Sequence, residues 1–404
     1  MSDKKPMLAV EEALAAILAN VSPLETEDAP LAACYGRTLA RDIAARRTQP
    51  PSALSAMDGY ALRAADAARP LRVIGESAAG KGFGAVCGPG EAVRIFTGAP
   101  VPPGADAVLI QEEAERDGES LVARGQVKAG DNIRDAGVDF TQGAIVLGAG
   151  RRLGPADVAL AASADHATLA LARKPRVAVL STGDELVSPG APRGPDQIVA
   201  SNAFAVLGLI AASGGEPLDL GVVGDRLDQI EAAIQRARAE KADVLVTIGG
   251  ASVGDRDLVR GALAREGMEL SFWKVRMKPG KPLIHGHIGP MRVLGLPGNP
   301  TSAAVCGHLF LKPLIRALSG DRFAGADRSE PARTGAALPP GGSRREFLRA
   351  TLTADEEGRM IATAHENQDS SLSSVLAYSQ ALIVRAENAP PAPAGTPVRV
   401  IRLD

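Results

Sequence analysis

At 404 residues the chain is long enough for about three domains, since a single core seldom serves more than roughly 250–300 residues. Hydrophobic residues at 45% and charged residues at 23% exclude a disordered or membrane-embedded class. The 45 Lys and Arg nearly balance 47 Asp and Glu, which excludes the global basic field of a dedicated nucleic-acid binder and leaves any anion site local.

Met7 to Val10 runs directly into Glu11 and Glu12, so no apolar signal core is expected. The longest apolar run, Ala203 to Ala212, is too short to cross a bilayer. Cys34, Cys87 and Cys306 are few, odd in number and far apart, which predicts buried free thiols in a reducing, cytoplasmic compartment. Val10, Leu14, Ile17, Leu18 and Val21 share one helical face, and Glu11 and Glu12 suit the first turn of that helix, which Pro23 ends. From about 44 to 143, short apolar runs such as Leu71 to Ile74, Ala92 to Phe96 and Ala107 to Ile110 alternate with Gly and Pro clusters, predicting a β-rich domain.

Beyond Lys174, strands alternate with helices: Val177 to Leu180, a helix near Asn202 to Ala212, Leu218 to Val223, a helix Leu227 to Ala239, Val244 to Ile248, and a helix near Leu258 to Glu266. This predicts a parallel sheet covered by helices on both faces. After Asp321, short strand candidates at Phe347 to Leu352, Ala381 to Val384 and Val398 to Ile401 predict a small β-barrel or sandwich.

Two motifs are weak. Gly75 to Lys81 fits seven positions of a P-loop, but Gly82 stands where a hydroxyl should reach magnesium, so a glycine-rich β turn is expected. His285 and His287 lack a third metal ligand nearby and predict an exposed strand face. Stronger signals follow the α/β strands. Ser181-Thr182-Gly183-Asp184-Glu185 and the stretch Gly249 to Asp257 place glycines and acids at equivalent strand ends, where open sheets bind ligands. In Trp273 to Pro282, Lys274, Arg276 and Lys278 alternate with apolar residues, so one straight strand would aim them to one side across about 13 Å. Leu296 to Ser302 marks a rigid turn into a helix whose N-terminus suits an anion.

Taken in order, Gly36 to Ala40, Ser55-Ala56-Met57-Asp58-Gly59-Tyr60, Phe96 to Pro100, Asn132-Ile133-Arg134, both sheet-end loops, Lys278-Pro279-Gly280-Lys281-Pro282, Leu296 to Pro300 and Arg344 to Phe347 closely resemble the molybdopterin molybdenumtransferase family, which includes MoeA and the gephyrin E-domain. The resemblance covers essentially the whole chain. It implies insertion of molybdate into adenylylated molybdopterin with release of AMP. It also implies a multidomain α/β plus all-β fold: an elongated N-terminal and dimerisation domain (1–43 with 144–173), a β-rich domain (44–143), a three-layer α/β molybdopterin-binding domain (174–321) and a C-terminal β-barrel (322–404). A homodimer with a site shared between subunits and a Mg2+ cofactor follow from the same likeness. Partners are then adenylylated molybdopterin and molybdate, with the molybdopterin adenylyltransferase and apo-molybdoenzymes as further candidates.

The resemblance and the sheet-end loops together nominate Asp58, Asp139, Glu185 and Asp257 as catalytic and metal-holding carboxylates. They nominate Thr97, Arg134, Ser181, Gly183, Asp225, Gly249, Gly250, Ser252, Gly254, Lys274, Lys278, Lys281, Pro297 and Arg344 as substrate contacts. For Asp225, a helix N-cap before Leu227 is the competing reading. Val138 replaces an acid of the family pattern, and Ala377 to Gln380 replaces an Ala-Asn segment. A gephyrin-like scaffold and a tungstate-handling paralogue are the alternative functions.

Overall fold

The computed structural model describes residues 7–250 and 258–403. Its first helix, Val10–Leu18, opens with the Glu12 carboxylate accepting the Ala9 amide at 2.7 Å. Ala13 and Ile17 on its buried face join the core of the α/β domain with Phe310, Leu314 and Leu318. This helix therefore packs with the α/β domain rather than with residues 26–44, because that core is the apolar surface its stripe meets.

Residues 26–44 pair instead with a distant stretch of chain. Strand Thr26–Pro30 runs antiparallel to Thr168–Ala172, and Ile43–Ala44 to Ile145–Leu147. Leu39, Ile43, Leu153, Val158, Leu169 and Leu171 fill the space between these ribbons and the helix Pro155–Ser163. The chain between the ribbons forms a six-stranded mixed sheet in the order 107–110, 59–62, 91–95, 71–77, 120–123, 114–117. Leu62, Leu71, Leu109 and Leu121 lie in its core. The P-loop lookalike is the expected turn, with Ala78 bridged to Lys81.

In the α/β domain, strands Glu216–Val223, Arg176–Thr182, Val244–Ile248 and Met291–Leu296 are parallel. Residues Val177 to Leu180 are buried on both faces, which is why the strand reads as an unbroken apolar run. Helices Asn202–Ser213, Pro300–Cys306 and Lys312–Leu318 cover one face, and Leu227–Ala239 and Leu258–Arg265 the other. The sheet departs from the all-parallel expectation at one edge. Strand Pro282–Ile288 runs antiparallel to both its neighbours, Met291–Leu296 and Glu269–Lys274, because a tight turn at Gly289 folds the chain straight back into Met291–Leu296 and leaves no room for a crossover.

The C-terminal strands close into a five-stranded barrel: Arg345–Ala354 pairs with both Met360–Ala364 and Ala381–Arg385, and Glu330–Thr334 and Pro397–Arg402 complete the ring. Phe347 and Leu382 of the barrel sit in the α/β core. Burying each contributes about 1.5–3 kcal/mol to holding the two domains together. All three cysteines are buried and unpaired. No helix among the described residues is long and apolar enough to cross a membrane.

Candidate functional site

The nominated residues of the β-rich region are gathered by one segment, residues 49–58. Ser55 exchanges backbone bonds with Gly98 and Ala99, strand Leu54–Ser55 pairs with Ile133–Arg134, and Gln49 accepts the Asp139 amide at 3.1 Å. Asp58, Thr97, Arg134 and Asp139 are thereby anchored to neighbouring turns. Asp58 Oδ1 accepts the Thr97 amide at 2.7 Å and the Thr97 hydroxyl at 2.8 Å. These two donors, with the Arg94 guanidinium nearby, hold the Asp58 carboxyl below the usual carboxylate range. Arg94 itself stacks over Tyr60 and Phe96, at 5.0 and 4.9 Å to the ring centroids.

A second group lies at the carboxyl ends of the parallel strands. The Gly183 amide donates to Val223 O and the Gly249 amide to Leu296 O, so the loops carrying Gly183, Gly249 and Pro297 leave the sheet side by side. Gly249 has φ +95°, and a Cβ there would stand 2.6 Å from Thr182 O, so only glycine fits. The Thr182 hydroxyl beneath it is buried and has no partner among the described residues. Ser181 was the nominated residue of this pair, but Thr182 carries the unmet hydrogen bond.

Asp225 is not the helix cap: the N-cap of Leu227–Ala239 is Arg226, and the Asp225 amide donates to Asp184 Oδ1 at 2.9 Å. Partial burial, then the charges of Asp184 and Glu185, push the Asp225 carboxyl up. Three acids therefore crowd this strand end, with hard oxygen donors of the kind that suit Mg2+. Among the described residues, however, no group of three or more His, Cys, Asp or Glu is arranged to hold a metal ion. Asp58 and Asp139 lie in turns of the β-rich region, whereas Glu185 lies in a turn after an α/β strand. Asp257, Ser252 and Gly254 lie outside the described residues.

The third feature is a cleft of about 360 Å³ between the α/β domain and the barrel. Lys278, Lys281 and Arg344 line it as nominated, with Ser302, Arg349 and Ser370 added by the fold. Lys278 Nζ lies 3.3 Å from Glu346 Oε1, and Arg344 Nη1 donates to Met277 O at 3.2 Å. Arg349 is 1% exposed; its Nη2 donates to Asp369 O at 3.1 Å, while its buried Nε has no partner. Burial disfavours its charged form. Sequence reasoning missed Arg349 because it sits in an ordinary strand pattern; Arg344-Arg345-Glu346-Phe347 just before it was the available signal.

The expected straight row of cations is broken. Lys274 ends one strand and packs its Nζ 3.5 Å from the Trp273 ring centroid, Arg276 pairs with Glu387 at 2.9 Å, and Lys278 has crossed to pair with barrel strand Arg345–Ala354. Buried Val275 marks the crossing, where its amide donates to Lys281 O and closes the loop between the two sheets. His285 also departs from expectation. It is buried and stacked on Phe272 at 5.5 Å, and burial pushes its imidazole down to about 4.

Comparison with known proteins finds family matches over most of the chain. Residues 8–164 match the MoeA N-terminal region (domain I and II), 178–317 a probable molybdopterin binding domain, and 331–403 the MoeA C-terminal region (domain IV). The chain is 35% identical to the molybdopterin molybdenumtransferase of Haemophilus influenzae over 94% of both chains. It is 35% identical to that of Bacillus subtilis over 95% of this chain and 91% of the relative. A crystal structure of the Pyrococcus horikoshii molybdopterin biosynthesis MoeA protein superposes with a TM-score of 0.83 at 30% identity, covering 99% of this chain and 100% of that one. With its domains matched in order and its length spanned by these relatives, the chain belongs to the MoeA family of molybdopterin molybdenumtransferases.

Proposed function

We propose that this protein inserts molybdate into adenylylated molybdopterin with release of AMP, holding the oxyanion in the cleft between the α/β domain and the barrel. The observation that carries this reading is the convergence there of Lys278, Lys281, Arg344 and Arg349, with the Arg349 Nε unmet. Molybdate is a dianion, and a partly enclosed set of cations neutralises it more effectively than exposed ones. As a member of its family the chain is a transferase of molybdenum cofactor biosynthesis. The scaffold and tungstate alternatives gain no observation of their own.

In this reading the glycine-lined strand ends and the unpartnered Thr182 hydroxyl receive the nucleotide-bearing pterin. Ser181, Gly183, Gly250 and Pro297 shape the same loops. The cations of the neighbouring cleft stabilise charge that develops as the phosphoanhydride breaks and AMP departs. Magnesium, when bound, would add neutralisation of the phosphate oxygens. Glu185 is its expected ligand in the α/β domain, with Asp257 of the second strand-end motif, and Asp58 and Asp139 would be supplied by a second protomer.

The family likeness supports a homodimer that shares these carboxylates between protomers, and the three unpaired cysteines support a reducing, cytoplasmic location. The adenylyltransferase would supply the substrate and apo-molybdoenzymes would accept the product.

The test is molybdate titration of Lys278→Ala and Arg349→Gln by calorimetry, alongside AMP release. Each lost charged hydrogen bond should weaken molybdate about 10- to 100-fold. Unchanged affinity in both folded variants would place the oxyanion elsewhere.

A further inference from the structure

A second cationic cavity lies where the paired ribbons meet the α/β domain, and the reaction described above makes no use of it. It is small, about 10 Å³, and is lined by Arg37, Arg152, Lys174 and Arg316 together with Ser213 and Ser319. Arg37 and Arg316 are only 8% and 6% exposed. Each keeps one buried N–H without a partner, Arg37 Nε and Arg316 Nη1.

The other bonds of these side chains are accounted for. Arg37 Nη2 donates to Glu27 and to Ala172 O, Arg152 donates to Gly36 O and Ala212 O, and Arg316 pairs with Asp321. Burial and the neighbouring Arg316 charge both disfavour the charged form of Arg152. The opposing negative charge comes from Glu27, which is half exposed, from Asp321, and from the C-terminal ends of helices Asn202–Ser213 and Lys312–Leu318. Those ends carry about half a charge each, so four cations face less than four units of compensation. Both the unmet donors and the surplus positive charge call for an acceptor that brings negative charge.

We propose that this cavity binds one small monoatomic anion, chloride being the physiological choice. The space of about 10 Å³ is small, which favours a monoatomic anion over a bulkier tetrahedral oxyanion such as molybdate. Water fits by size, but it brings no charge and would leave the surplus of cations uncancelled. Chloride accepts from both orphaned donors and cancels one charge. It would tie Arg37 and Arg152 of the ribbons to Arg316 of the α/β domain, acting as an ionic rivet between them.

The experiment uses the full-length protein. Thermal unfolding is compared in chloride, sulfate and gluconate at equal ionic strength, and crystals grown in bromide are measured for anomalous scattering. The expected result is an anomalous peak beside Arg37 Nε and Arg316 Nη1. With it should come a rise in Tm of roughly 2–4 °C in chloride alone, abolished in Arg152→Gln. Should that variant not fold, Lys174→Ala, at an exposed position, should shift the chloride midpoint upward at least about threefold. A water in place of the peak, or a wild-type Tm indifferent to chloride, would overturn the proposal.

Discussion

Gly280 is the point at which a single methyl group should disturb both stability and oxyanion binding. It sits between Lys278 and Lys281 with φ +99°, and a Cβ there would lie 2.5 Å from Cys306 Sγ and 3.1 Å from Met277 Cε. Carbon and sulfur normally approach no closer than about 3.5–4 Å. Cys306 is fully buried in a helix packed by Phe310 and Leu314, so it has little room to retreat. Left-handed backbone costs an alanine about 1–2 kcal/mol and overpacking adds about 1–3. Gly280→Ala should therefore lose about 2–5 kcal/mol in urea denaturation and, because both lysines hang from the displaced turn, should also weaken molybdate binding. Adding Cys306→Ala should return the overpacking part but not the backbone part, which a double-mutant cycle separates. A Gly280→Ala protein within about 0.5 kcal/mol of the parent, with the same molybdate Kd, would falsify the reasoning.

Arg173 donates twice to Asp243 at 2.7 Å and once to Glu25 at 2.6 Å, so Arg173→Ala should cost about 2 kcal/mol in the same denaturation assay. Asp225 has a raised carboxyl, so the folded state holds its proton more tightly than the unfolded chain, and stability falls as pH rises through that window. Asp225→Asn should raise Tm at pH 7, and the gain should vanish below the ordinary value of 3.8; a gain that persists at low pH contradicts the crowding of Asp184, Glu185 and Asp225. Asp58→Asn should fold normally and lower molybdenum insertion by about two orders of magnitude. Mixed with Glu185→Gln under subunit exchange, it should recover activity in the mixed dimers, and no recovery in verified mixed dimers would return the site to a single chain.

Much of this architecture is legible in the sequence for a physical reason. Strand Val244–Ile248 and helix Leu227–Ala239 are written by local patterns, an unbroken apolar run and a 3.6-residue stripe, which tertiary context reinforces. The antiparallel edge escaped because Ile284 and Leu294 look equally apolar in either direction; only the turn at Gly289 distinguishes a hairpin from a crossover. The lysine row failed for a related reason: alternation predicts one strand, while the burial of Val275 hands the chain from one sheet to another. Arg349 and Thr182 were invisible as site residues because their distinction is an unmet hydrogen bond, a property of three-dimensional surroundings rather than of spacing.

The β-rich sheet is spliced into the ribbons rather than appended to them. The chain departs at Ile43–Ala44 and returns at Ile145–Leu147, and these two crossings are hydrogen-bonded to each other. A bridge Gln49 to Phe140 continues the pairing outward. A single tether would let the sheet twist freely, but two parallel tethers resist torsion and leave bending across their common plane as the soft direction. The turn bearing Asp58 and Thr97 is thereby held in one rotational setting relative to the ribbons.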